Sequence, residues 1–80
     1  MELIQVFGIT LSQLRKEAGL TQEKLAELAG YDRTYISLIE RGLRKPTVQA
    51  LFNLSKPLGI SPHQFVKIVE DQLTNEILNT

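Results

Sequence analysis

Residues Thr21 to Arg41 read TQEKLAELAG-YDRTYISLIE-R, two short helical patterns separated by a tight break. Thr21 is a residue type that caps a helix N-terminus, and Glu23 in the first turn suits the positive end of the helix dipole. Leu25, Ala26, Leu28 and Ala29 are expected to form the buried side, and Gly30 stops the helix after two turns. Asp32 caps the next helix, expected from Arg33 to about Arg41, with Gly42 ending it. Helices this short are not stable alone and must be held by packing. About three residues separate them, which is the size and punctuation of a helix-turn-helix.

The flanks supply what such a unit would pack against. Upstream, Leu3, Phe7, Leu11, Leu14 and Ala18 recur at helical spacing, and Gly19 suits the left-handed position that closes a helix. Gly8 weakens that pattern by roughly 1 kcal/mol relative to alanine. Downstream, Leu43–Pro46 reads as a loop, and Thr47 caps a fourth helix with Val48, Leu51, Phe52 and Leu54 on its apolar side. Pro57 removes an amide donor and is expected to end that helix early. Ser61-Pro62 then opens a fifth helix expected to reach about Leu78. The sequence therefore predicts an all-α, five-helix domain spanning residues 1–80, with the helix-turn-helix formed by helices 2 and 3.

Eighty residues leave room for one core, not two. Hydrophobic content of 42% fits a folded domain rather than a disordered chain. There is no cysteine and one histidine, His63, so no disulfide framework and no zinc constellation can be built. No signal peptide and no continuous apolar span are visible, and the expected address is cytoplasmic. Net charge is zero, but its distribution is uneven. Between Asp32 and Lys45 four cations (Arg33, Arg41, Arg44, Lys45) oppose Asp32 and Glu40, for +2. From Ser61 onward Lys67 opposes Glu70, Asp71 and Glu76, for −2. Phosphate attraction would therefore be local to the middle of the chain.

On a helical wheel Ile36 and Ile39 of helix 3 point one way, with Tyr35 at their border. Arg33, Thr34, Ser37 and Arg41 fall within an arc of about 100°, and Leu38 sits at its edge. A guanidinium fork, hydroxyls and an aliphatic group are the types that read base edges and phosphates in a major groove. A plain solvated helix face has much the same composition, and spacing alone does not separate the two.

The ordered run LTQEKLAELAG (Leu20–Gly30), followed by DRTYISLIERG (Asp32–Gly42), resembles the two halves of the Cro/repressor-type, lambda-repressor-like helix-turn-helix family. With LRKEAG (Leu14–Gly19) before it and KPT (Lys45–Thr47) after it, the resemblance spans about Phe7 to Ile60. Within the family, Asp32-Arg33-Thr34-Tyr35-Ile36-Ser37 and the compact length are most similar to restriction–modification controller proteins, which are dimeric regulators acting near their own promoter. The resemblance implies that Thr21 and Gln22 meet the DNA backbone at the start of helix 2. It implies that Arg33 and Thr34 reach bases, with Tyr35 and Ser37 flanking them, although Tyr35 could equally be a partly buried packing residue. Leu38 stands where phage repressors often carry a polar reader, which leaves methyl contact there. Arg41, Arg44 and Lys45 would lie over the backbone. Arg15 and Glu40 match an arginine–glutamate pair that ties helix 1 to helix 3.

Helix 5 carries Phe65, Val66, Ile68, Val69, Leu73 and Ile77 over about 180° of its circumference, wider than one core contact needs. One edge can close the monomer and the other is expected to meet a second copy, placing two recognition helices on a palindromic operator. The expected partners are thus double-stranded DNA and a second copy of the chain, with RNA polymerase as a further contact if the regulator activates. No cofactor and no small-molecule effector are expected. An enzyme is disfavoured, because no nucleophile–base pair, carboxylate pair or phosphate-cradling glycine loop is present. The rival reading is a protein-binding helix-turn-helix module such as an antitoxin, which zero net charge and an apolar, acidic helix 5 would suit.

Overall fold

A computed structural model describes residues 1–78, with side chains through residue 75. Among these residues there are five helices and no strand: α1 (Leu3–Glu17), α2 (Gln22–Ala29), α3 (Arg33–Glu40), α4 (Val48–Leu58) and α5 (Pro62–Leu78). The three polar caps act where the sequence puts them. Thr21 Oγ1 accepts from the Lys24 amide, Asp32 Oδ1 from that of Tyr35, and Thr47 Oγ1 from that of Ala50, each at 3.0 Å. A capping box involving Glu2 and Gln5 starts α1. Gly30 closes α2 in the left-handed conformation, with φ 83°.

α3 packs against both α1 and α2, while α5 packs against α1 and α4. The core joins Val6, Phe7 and Leu11 of α1 to Leu25, Ile36, Ile39, Leu54 and Phe65. Phe65 is 0% exposed and stacks on Phe7, with ring centroids 4.6 Å apart. Burying an aromatic pair of this kind is one of the larger single contributions a small core can have.

Several helix faces differ from their sequence periods. In α1 the buried set is Val6, Phe7, Gly8, Thr10 and Leu11, while Leu3 and Ala18 lie at the surface. The cause is Gly8. A β-carbon there would overlap the Ile39 carbonyl oxygen and come within 2.8 Å of that of Glu40. The glycine lets α1 touch the backbone at the C-terminal end of α3, which fixes the rotation of α1. In α2 Leu28 is exposed, and in α4 Val48 and Phe52 are exposed, while Ala50, Leu54, Ser55 and Leu58 are buried. The Ser55 hydroxyl can be buried because it donates to the Leu51 carbonyl at 2.7 Å. Pro57 does not end α4 early. It lies in the last turn, where it removes one helical bond, and the helix continues to Leu58 before Gly59 closes it at φ 75°.

Candidate nucleic-acid interface

The placement of α3 begins with a buried charge cluster. Arg15 of α1 donates from Nε to Glu40 Oε2 at 2.6 Å and from Nη2 to Oε1 at 3.1 Å. Its third nitrogen, Nη1, donates to the Leu20 carbonyl at 2.9 Å. The two side chains are 11% and 6% exposed. A bidentate guanidinium–carboxylate pair has one defined geometry, so it clamps α3 to α1 and to the loop that precedes α2.

Gln22 joins this cluster. Its Nε2 donates to Glu40 Oε1 at 3.0 Å, so the amide expected to be free for a phosphate has one hydrogen committed inward. Sequence reasoning missed this contact because it spans eighteen residues and depends on how α2 crosses α3. Thr21, likewise expected at the DNA backbone, uses its hydroxyl as the α2 cap.

The opposite side of α3 is built differently. Arg33 and Thr34 are exposed, Ser37 and Leu38 are half-buried, and Ile36 and Ile39 are fully buried. Arg41 caps the C-terminal end of α3, and its Nε donates to the Ser37 carbonyl at 3.4 Å. Arg44 and Lys45 follow on the exposed α3–α4 loop. Among the described residues, Arg33, Arg41, Arg44 and Lys45 have no ion-pair partner. Cationic groups with no internal partner retain their full attraction for an external anion.

Tyr35 is the packing residue that its place on the wheel allowed for. Its half-buried ring stacks on Tyr31, with centroids 4.5 Å apart and planes at 29°. The Arg44 guanidinium lies 5.4 Å from its centroid. Burial pushes the phenol pKa above its ordinary value and Tyr31 adds to the shift, while Arg44 and a side-chain hydrogen bond with Thr47 pull it back. The phenol is therefore neutral at physiological pH.

The expected dimer stripe on α5 requires a correction. Phe65 and Val69 are buried in the core and have no surface to offer a partner. Leu73 packs partly against the same core. Ile68 is half-buried and Val66 is 48% exposed; the side chain of Ile77 lies outside the described residues. A different apolar surface stands open beside Val66. Leu3 (60% exposed) and Val48 (74% exposed) border a groove of about 650 Å³ that reaches down to Phe7, Leu51 and Val69. Sequence periods assigned Leu3 and Val48 to the core, which concealed this surface.

Among the described residues no cluster of three or more candidate metal ligands occurs, and no helix is long and apolar enough to cross a membrane.

A helix-turn-helix family model matches residues 11–65. An uncharacterised HTH-type transcriptional regulator, y4dJ, from Sinorhizobium fredii is 39% identical over 66 residues, covering 82% of this chain and 86% of the relative. The control protein C.BamHI from Bacillus amyloliquefaciens is 41% identical over 58 residues, covering 71% of this chain and 72% of the relative. Among solved structures, the restriction–modification controller protein C.Esp1396I, as a tetramer with its natural 35 base-pair operator, superposes with a TM-score of 0.84. That match has 34% identity and covers 92% of this chain and 97% of the other. The chain belongs to the Cro/repressor-type helix-turn-helix family of DNA-binding transcriptional regulators and, within it, resembles the restriction–modification controller proteins.

Proposed function

We propose that this chain is a sequence-specific regulator that binds a palindromic operator as a homodimer and controls its own promoter in the manner of a restriction–modification controller. The observation that carries the reading is the exposed side of α3 and its following loop. Arg33 and Thr34 face solvent at the head of the helix, and Arg41, Arg44 and Lys45 continue the surface with no acidic partner among the described residues. Arg33 is suited to a bidentate contact with guanine, Thr34 and Ser37 to hydroxyl contacts, and Leu38 to a thymine methyl. Arg41, Arg44, Lys45 and the N-terminal turn of α2, with Thr21 and Gln22, are suited to phosphates. Zero net charge is no obstacle, because attraction to DNA falls within a Debye length of about 8 Å and is governed by the local surface.

The homodimer is supported by the groove beside Val66, Leu3 and Val48. Its rim carries Glu2 and Lys45, opposite charges that suit a self-complementary two-fold contact. The groove ends at Lys45 and Pro46, so a partner seated there adjoins the basic loop and brings a second α3 alongside the first. Two half-sites one helical turn apart supply specificity that a single short helix lacks. An RNA polymerase contact and self-regulation belong to the same proposal and rest on the controller-like relatives.

The test is selection of bound fragments from sheared genomic DNA at about 0.15 M salt, with sedimentation of the protein alone. Enrichment of a two-fold site and a dimer in solution are expected. Bound DNA indistinguishable from input would overturn the reading. A protein-binding module of the antitoxin kind draws on the exposed Leu28 and Phe52, which flank a shallow depression with Lys56 and Pro57. Size exclusion with and without DNA separates the two readings.

A further inference from the structure

Four side chains from three segments form a continuous ladder along one side of the recognition helix. Asn53 of α4 donates from Nδ2 to the Tyr31 hydroxyl at 3.0 Å, in the turn between α2 and α3. The Tyr31 ring stacks on that of Tyr35 in the first turn of α3. Arg44, on the loop leaving α3, lies with its guanidinium carbon 5.4 Å from the Tyr35 centroid.

We propose that Tyr35 is a positioning residue for DNA binding that acts through Arg44, holding its guanidinium ready for a phosphate, and not through a contact of its own hydroxyl with DNA. The inference rests on the DNA-binding reading above.

Three features carry it. Stacking uses the flat face of a guanidinium, whereas a phosphate is held by the N–H groups on its edge, so one arginine can do both at once. Arg44 has no carboxylate partner among the described residues, so the edge is uncommitted. The Tyr35 hydroxyl, by contrast, is engaged with the Thr47 side chain, and the far end of the ladder is anchored to α4 through Asn53. An exposed loop arginine loses rotamer freedom when it binds a phosphate; a stacked one has lost much of it beforehand. Lys45, the next residue, has no planar face and gains nothing from the ring.

The experiment measures DNA affinity for a duplex carrying the site enriched in the selection, using wild type, Tyr35→Leu, Tyr35→Phe, Arg44→Ala, Lys45→Ala and the double variants with Tyr35→Leu. NMR of the free proteins reports the ring-current shift on the Arg44 side-chain protons. In the free wild type these protons should be shifted upfield, and the shift should persist in Tyr35→Phe and vanish in Tyr35→Leu. Arg44→Ala should lower affinity roughly two- to thirtyfold and the log–log salt slope by about 1. Tyr35→Leu should lose part of the same factor, and adding it to Arg44→Ala should cost little more, whereas its loss should multiply with that of Lys45→Ala. Tyr35→Phe should bind nearly as wild type.

An equal loss in Tyr35→Phe and Tyr35→Leu would assign the role to the hydroxyl and overturn the proposal. So would multiplicative losses for Tyr35→Leu with Arg44→Ala, or the absence of an upfield shift in wild type. If wild type binds no duplex while the upfield shift is present, the DNA-binding reading itself fails and takes this inference with it. Thermal melting of each variant excludes unfolding as the source of a loss.

Discussion

At one end of α3, Glu40 is almost wholly buried and accepts three hydrogen bonds from Arg15 and Gln22. At the other end, roughly 10 Å away along the axis, Arg33 and Thr34 face solvent with no side-chain partner among the described residues. The charged residues at the two ends contribute to different equilibria. A buried, paired charge contributes to folding, because losing its partner leaves the other charge desolvated and alone. An exposed, unpaired charge contributes almost nothing to folding and keeps its interaction for a partner. The eight-residue helix is therefore locked at its C-terminal end and presented at its N-terminal end.

The largest expected effect lies at the locked end. Glu40→Ala should destabilise the fold by about 3–5 kcal/mol, since Arg15 would remain buried without its carboxylate. Denaturant titration measures this, and a change below about 1 kcal/mol would show that the pair is not load-sharing. Gly8→Ala should follow, at about 1–3 kcal/mol, because the added methyl meets the Ile39 and Glu40 carbonyls. Alanine has the better helix propensity, so a stabilised variant would mean that α1 and α3 do not approach this closely. The Thr47→Ala cap variant should lose about 1 kcal/mol, read from its melting temperature. Val66→Asp should leave monomer stability within about 0.5 kcal/mol of wild type yet weaken dimerisation in sedimentation. Phe65→Ala, in the core, should do the reverse and lower stability. If both variants affect only stability, the groove is not the dimer contact.

Local signals in the sequence survive in the structure where a single residue settles the matter. Thr21, Asp32 and Thr47 cap their helices because each polar side chain satisfies an amide three residues on. The Arg15–Glu40 contact was legible only through the family resemblance, since no local spacing joins residues twenty-five apart. Burial was less legible, because it depends on how helices cross. Leu28, Val48 and Phe52 satisfy an apolar period yet lie at the surface, while Thr10 and Ser55 are fully buried because their hydroxyls find partners at Gln72 and at Leu51. Gly8 reads in sequence as a weak point of α1, and its reason exists only in the neighbouring helix. On α5 the wide apolar stripe was visible, but the division of labour within it was not. Phe65 and Val69 serve the monomer, and Val66 is left at the surface.

Arg33→Ala, measured for folding and for DNA binding in the same preparation, tests the contrast between the two ends of α3 most directly. Melting should stay within about 0.5 kcal/mol of wild type, while affinity for the enriched operator falls by about 1–3 kcal/mol and discrimination relaxes at one base pair of each half-site. Unchanged affinity and specificity, or a loss of binding explained by unfolding, would contradict the assignment of the exposed end of α3 to DNA.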